Sequence, residues 1–255
     1  MTVIVDTFIP KVLLIDGNPV HILDIEDFNT GLKRYLDEHF VSICEGASGN
    51  DVKSVKKRVF RFLNSKDDTT RSGAIAEFFL HLYLKKQGYK QECTFLNLEE
   101  GSIKKGFDGY YSKDKEEWIM ESKSGNIESV NMSHPNKVSE AYRDLSDKFN
   151  GDVSNNPWQN AYNHASNIDV STDANIRQNI KKLSNDFNDE NYPSISDFNI
   201  IPSSTIFFNG GEISTDISEL EKKMKRAVSR YKFKKILILC VNKKSMGLFI
   251  DYLNS

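Results

Sequence analysis

Glu121 and Lys123 stand two residues apart in "WIMESKSG" (118–125), a stretch that opens like a buried strand and closes on two opposite charges. Side chains alternate along a strand, so Ile119, Glu121 and Lys123 share one face while Met120 and Ser122 take the other. Asp108 follows Phe107 at the start of the preceding strand-like run, "GFDGYYS". A short hairpin would make that run the antiparallel neighbour, and the two carboxylates would then converge. Two carboxylates and the Ser122 main-chain carbonyl are hard oxygen ligands suited to Mg²⁺, with Mn²⁺ as a substitute, and such an ion keeps waters for substrate oxygens. The ion would lower the pKa of a bound water and neutralise charge on a phosphate. A lysine beside that water would orient or deprotonate it, or stabilise pentavalent phosphorus. Burial and the ion's charge are expected to push its pKa downward.

The elements that must position these groups follow from periodicity. From Gly73 to Gln87 nearly every position is apolar except Glu77, His81 and Lys85, spaced four apart, and Gly88 closes the helix. Glu77 either turns toward the carboxylates or faces water with the rest of that stripe. Three strand-like runs follow, "YKQECTFLNL", "GFDGYYS" and "EEWIMESKS", joined by "EEGSIKKG" and "KDKE". Upstream, "KVLLIDGNPVHILDI" reads as two strands about a Gly-Asn-Pro turn, with helices over "EDFNTGLKRYLDEHF" and from Asp51 to Leu63. The Asn-rich region from Ser133 to Pro202 has few aliphatics and predicts two polar helices, "NPWQNAYNHASN" and "ANIRQNIKKLSNDF", on flexible connections. "SSTIFFN" then reads as a strand, "ISELEKKMKRAVSRYKF" as an amphipathic helix and "KKILILCVNK" as a buried strand.

Composition bounds the remaining classes. No apolar run approaches the roughly 20 residues needed to span a bilayer, and the amino terminus lacks the pattern of a secretion signal. A cytoplasmic chain with no membrane contact is expected. Cys44, Cys93 and Cys240 form no CxxC pair and read as buried reduced thiols. The five histidines show no ligand spacing. Net charge is −2, yet Glu221 to Lys244 carries ten Lys or Arg against a single acid. That run reads as a solvated face, with nucleic-acid contact as the alternative.

Asp, then Glu-x-Lys, on adjacent strands after a glutamate-bearing helix resembles the PD-(D/E)XK nuclease superfamily. The carrying residues are Asp108 in "GFDGYY", Glu121 and Lys123 in "ESK", and Glu77 in "GAIAEFF". The α-β-β-β-α-β order agrees with that family's core, although no proline precedes Asp108. The long amino-terminal extension, "RSGAIAEFFLHLYL" and "KKGFDGYY" followed by "WIMESKSG" are similar to the HamA nuclease subunits of Hachiman anti-phage defence systems. The resemblance implies a metal-dependent DNase leaving 5′-phosphate ends, DNA as a partner, and a superfamily 2 helicase, HamB, as the second subunit.

It also implies an α/β fold with a restriction-endonuclease-like core, a mixed sheet flanked by helices, and an N-terminal α+β extension. Residues 1–70 would form that extension, a partner-binding subdomain, and 71–255 the nuclease-like domain. Asp108, Glu121 and the Ser122 carbonyl would hold the ion, with Glu77 as a further ligand. Lys123 would serve the water, and Gln159, Tyr162, Lys104 and Lys105 would touch DNA. The competing readings are a silent adaptor that keeps the fold, and a stand-alone restriction or repair endonuclease.

Overall fold

A computed structural model describes residues 8–96 and 106–255. Its frame is one mixed sheet. Strand β1 (Lys11–Ile15) turns into β2 (Asn18–Ile25) through Asp16 and Gly17, whose φ values of 50° and 83° are those of a two-residue hairpin turn. The turn is thus Asp-Gly rather than Gly-Asn-Pro: Asn18 and Pro19 are already paired in β2, because only a left-handed pair of residues matches the twist of the flanking strands.

Helices α1 (Thr30–Glu45), α2 (Val52–Asn64) and α3 (Asp68–Lys86) follow. Asn29, Asp51 and Asp67 cap them, each side chain accepting a first-turn N–H. Every residue of α3 from Ala74 to Leu84 is buried, Glu77 and His81 included, so its polar stripe faces protein and not water.

Next come β3 (Lys90–Gln91), β4 (Gly109–Lys113) and β5 (Glu116–Asn126). The first is far shorter than "YKQECTFLNL" predicts, and residues 97–105, with Lys104 and Lys105 among them, lie outside the described part. Three helices follow: α4 (His134–Asn150), α5 (Pro157–Ala165) and α6 (Ala174–Asn188). The first of these was not expected. Its buried Val138, Ala141, Leu145 and Phe149 make a narrow stripe, capped by Ser133 and closed by left-handed Gly151. The connections after it are partly ordered by asparagine, with Asn156 capping α5 and bonding to Ser184 on α6.

The chain ends with β6 (Asn199–Phe207), α7 (Ile217–Val228), β7 (Lys235–Ile236), β8 (Ile238–Lys243) and α8 (Gly247–Leu253). The strand order is β1-β2-β8-β6-β5-β4-β3, with β7 paired to β6. The centre, β2, β8, β6 and β5, is parallel, and β1 and β4 are antiparallel to their neighbours. This α/β arrangement is consistent with a restriction-endonuclease-like core. Strand β2 joins β8 directly, and Leu36, Val55 and Phe78 of the first three helices share one apolar cluster with Met120 and Leu239 of the sheet. The opposite face packs Ile119, Tyr110 and Ile200 against Val138 and Leu145 of α4. Cys44, Cys93 and Cys240 are buried and unbridged.

Candidate active site

The register of the β4–β5 hairpin places the carboxylates. Gly109 pairs with Met120, and one step outward Asp108 stands opposite Glu121 on the face that carries Tyr110 and Ile119. Asp108 Oδ2 accepts the Ser122 main-chain N–H at 2.8 Å and the Ser122 hydroxyl at 2.7 Å, so the aspartate is fastened to the neighbouring strand. Its Oδ1 takes no hydrogen bond among the described residues. A strand residue directs N–H and C=O to the same edge, so the Ser122 carbonyl also points to the side where β4 has ended. Gly109 is required beside it: a Cβ there would sit 2.5 Å from the Tyr111 ring.

Glu121 is 4% exposed. One carboxylate oxygen meets the Lys148 ammonium of α4; the other lies 3.6 Å from Lys123 Nζ, which also reaches Asp144 Oδ2 at 2.5 Å. Burial, and then the negative charge of Asp108, push the Glu121 carboxyl up to about 7 against the pull of both lysines. Lys123 is raised as well, for a different reason. Burial would lower it, but Glu121, the hydrogen bond to Asp144 and the charge of Asp108 outweigh that and hold the ammonium above its ordinary value. Three carboxylates around this half-buried lysine outweigh its burial. Among these carboxylates the Lys123 ammonium keeps its proton.

The sequence reading does not single out Asp144 and Lys148. Their signal was present: they are four apart on the helix after the motif, so they share a face. Glu77 is buried on α3. It accepts from His81 Nε2 at 3.1 Å, and His81 Nδ1 meets the Tyr111 hydroxyl at 2.5 Å, a polar chain within the layer of α3. That hydroxyl is kept protonated by burial first and then by Cys93, Glu77 and Asp108, so both acids surround one ring. Gln159 and Tyr162 face α6: Ser184 donates to Gln159 Oε1 at 3.0 Å, and Lys181 Nζ sits 5.7 Å from the centre of the Tyr162 ring.

Among the described residues no group of three or more His, Cys, Asp or Glu is placed to hold a metal ion. What the hairpin offers is the carboxylates of Asp108 and Glu121 and the main-chain carbonyl of Ser122. The chemistry fits a hard cation: Glu121 and Asp144 meet two ammonium groups, Asp108 adds a third negative charge, and burial first and then that charge push the Glu121 carboxyl up. A divalent ion would remove that repulsion.

The sequence matches the HamA family over residues 4–254. The chain belongs to the HamA family. The match takes in the amino-terminal strands and helices as well as the candidate site, and it supports a role in Hachiman anti-phage defence. No curated protein matches the sequence. No helix of the described residues in this HamA-family chain is long and apolar enough to cross a membrane.

Proposed function

We propose that this HamA-family chain is a metal-dependent deoxyribonuclease that hydrolyses phosphodiester bonds. The observation that carries the reading is the fastening of Asp108 to Ser122 opposite a buried Glu121 whose carboxyl is raised to about 7, with Lys123 held beside both. Asp108, Glu121 and the Ser122 carbonyl would hold Mg²⁺, or Mn²⁺ in its place, which supplies charge neutralisation at the phosphate and a more acidic water. Lys123 holds a positive charge where an attacking water and a phosphate oxygen would lie. Asp144 fixes the direction of the Lys123 side chain, and Lys148 offsets the charge of Glu121. Glu77 supports the site through His81 and Tyr111.

DNA is the proposed substrate and a superfamily 2 helicase, HamB, the proposed partner, with residues 1–70 as the partner-binding part. The test is plasmid cleavage by the purified chain with Mg²⁺ or EDTA, alone and with that helicase, beside Glu121→Ala and Lys123→Ala. Metal-dependent cutting is expected, with a loss of at least about 100-fold in either variant, both retaining the circular dichroism of the parent. Normal cutting by either variant overturns the assignment. DNA or partner binding without cutting under any condition identifies a silent adaptor.

A further inference from the structure

Helix α4 does not end its work at Lys148 and Asp144. One turn and more toward its amino terminus, Asn136, Lys137, Ser139, Glu140 and Arg143 line a cavity of about 310 Å³ with Val130 and Asn131 of the loop after β5. The cavity adjoins the strand that carries the candidate site: a Cβ on Gly125 would lie 3.4 Å from Lys137 Cε. Gly125 is four residues beyond Glu121 on β5, about 13 Å at the rise of a strand.

The polar groups of this cavity divide into engaged and free ones. Ser139 bonds the Pro135 carbonyl at 2.7 Å and Tyr231 at 2.8 Å. Asn136 donates to the Asn131 carbonyl at 2.7 Å, and Lys137 pairs with Glu140 at 2.7 Å, which cancels that charge. Arg143 has no hydrogen bond or ion pair with any described residue, nor has the Asn131 side-chain amide. The exposed guanidinium of Arg143 and the Asn131 amide, lining one polar recess, match the oxygens of a phosphodiester. Val130, 90% exposed on the rim, gives an apolar surface for the adjoining sugar.

We infer that the α4 cavity is a phosphate-binding subsite for the substrate strand, with Arg143 as its principal contact. The inference rests on the nuclease reading and deepens it. Arg143 touches no reacting atom; it holds the strand at a fixed distance from Glu121 and so sets which bond is presented.

The test uses the full chain carrying Glu121→Gln, so that labelled single-stranded and duplex oligonucleotides are bound without being cut. Adding Arg143→Gln is expected to weaken binding about tenfold and to reduce the salt slope by about 1. Arg143→Lys should recover part of the loss, and Lys33→Gln, the same charge change on α1, should leave binding unaltered. In the cleaving chain, Arg143→Gln should raise KM for oligonucleotides with little change in kcat. Equal binding with and without Arg143, or equal losses from Arg143→Gln and Lys33→Gln, overturns the subsite while leaving the nuclease reading intact. Absence of DNA binding by the Glu121→Gln chain itself removes both.

Discussion

Lys243, at the end of β8, is the group whose replacement says most about how this sheet is held. It is fully buried, its Nζ has no hydrogen-bond partner among the described residues, and it lies 4.4 Å from the ring centre of Phe79 and 4.7 Å from that of Phe28. Burial pushes the ammonium down from 10.5 to about 7. That fall of about 3.5 pH units corresponds to about 5 kcal/mol against the folded state below a pH of about 7, where both states carry the proton, and to progressively less between there and 10.5. The two ring faces return about 2 kcal/mol, leaving roughly 3 kcal/mol against the fold at neutral and acid pH. Because the folded value is the lower one, the unfolded chain binds the extra proton between the two. Stability therefore rises with pH from about 7 toward 10.5 and is flat, for this group, below that window. Whatever the rings return also delays the onset of the rise. Lys243→Met keeps the length and removes the charge. In urea unfolding it should be more stable than the parent by about 3 kcal/mol at pH 6 to 7, the gap narrowing by up to about 1.4 kcal/mol per pH unit above that. A variant less stable than the parent at every pH, with a constant gap, would refute the reasoning and show that the cation anchors Phe28 and Phe79 to the sheet.

Two further outcomes are expected. His134, at the start of α4, takes a hydrogen bond from Ser204 at 2.8 Å and donates to Asn242 at 2.9 Å, and Asn242 in turn donates to Asp24. Burial lowers it to about 4 despite Asn242 and Asp24, so stability should fall as pH drops from 6.5 through 4, by at most about 3 kcal/mol; urea midpoints should show a shallower fall in His134→Gln. Gly106 has φ of 79°, and a Cβ on it would lie 2.4 Å from the Pro157 carbonyl oxygen, whereas Gly49, at 71°, has open space around it. Ala at 106 should cost more than about 2 kcal/mol and Ala at 49 about 1, and calorimetric Tm values that fall equally would disprove the backbone clash.

The half of the site that was legible in the sequence is the half made by neighbours along one hairpin. Alternation in β5 and the short Asp114-Lys115 turn fix the register, and register alone puts Asp108 opposite Glu121. Lys243 shows the limit of reading charge from composition: it belongs to the basic run that ends at Lys244, yet strand alternation turns it inward with Leu239 and Val241. Glu77 shows the same limit on a helix. A stripe spaced by four looks solvent-facing, and only the packing of α3 against the sheet buries it.

The groups that complete the charge arrangement come from farther away. Lys148 is 27 residues from Glu121, on a helix whose apolar stripe is narrow and includes an alanine, so its periodicity was hidden among asparagines and charges. What such a helix contributes is more than packing. By placing Asp144 on Lys123 and Lys148 on Glu121, α4 fixes both ends of the Glu-x-Lys pair, and the same helix carries Arg143 to the neighbouring cavity. A displacement of α4 would release Lys123, leave Glu121 without its cation and move Arg143 at once, so anything that bears on α4 acts on chemistry and strand placement together. The buried His134 bridge to β6 and β8 is what resists such a displacement at the amino end of the helix.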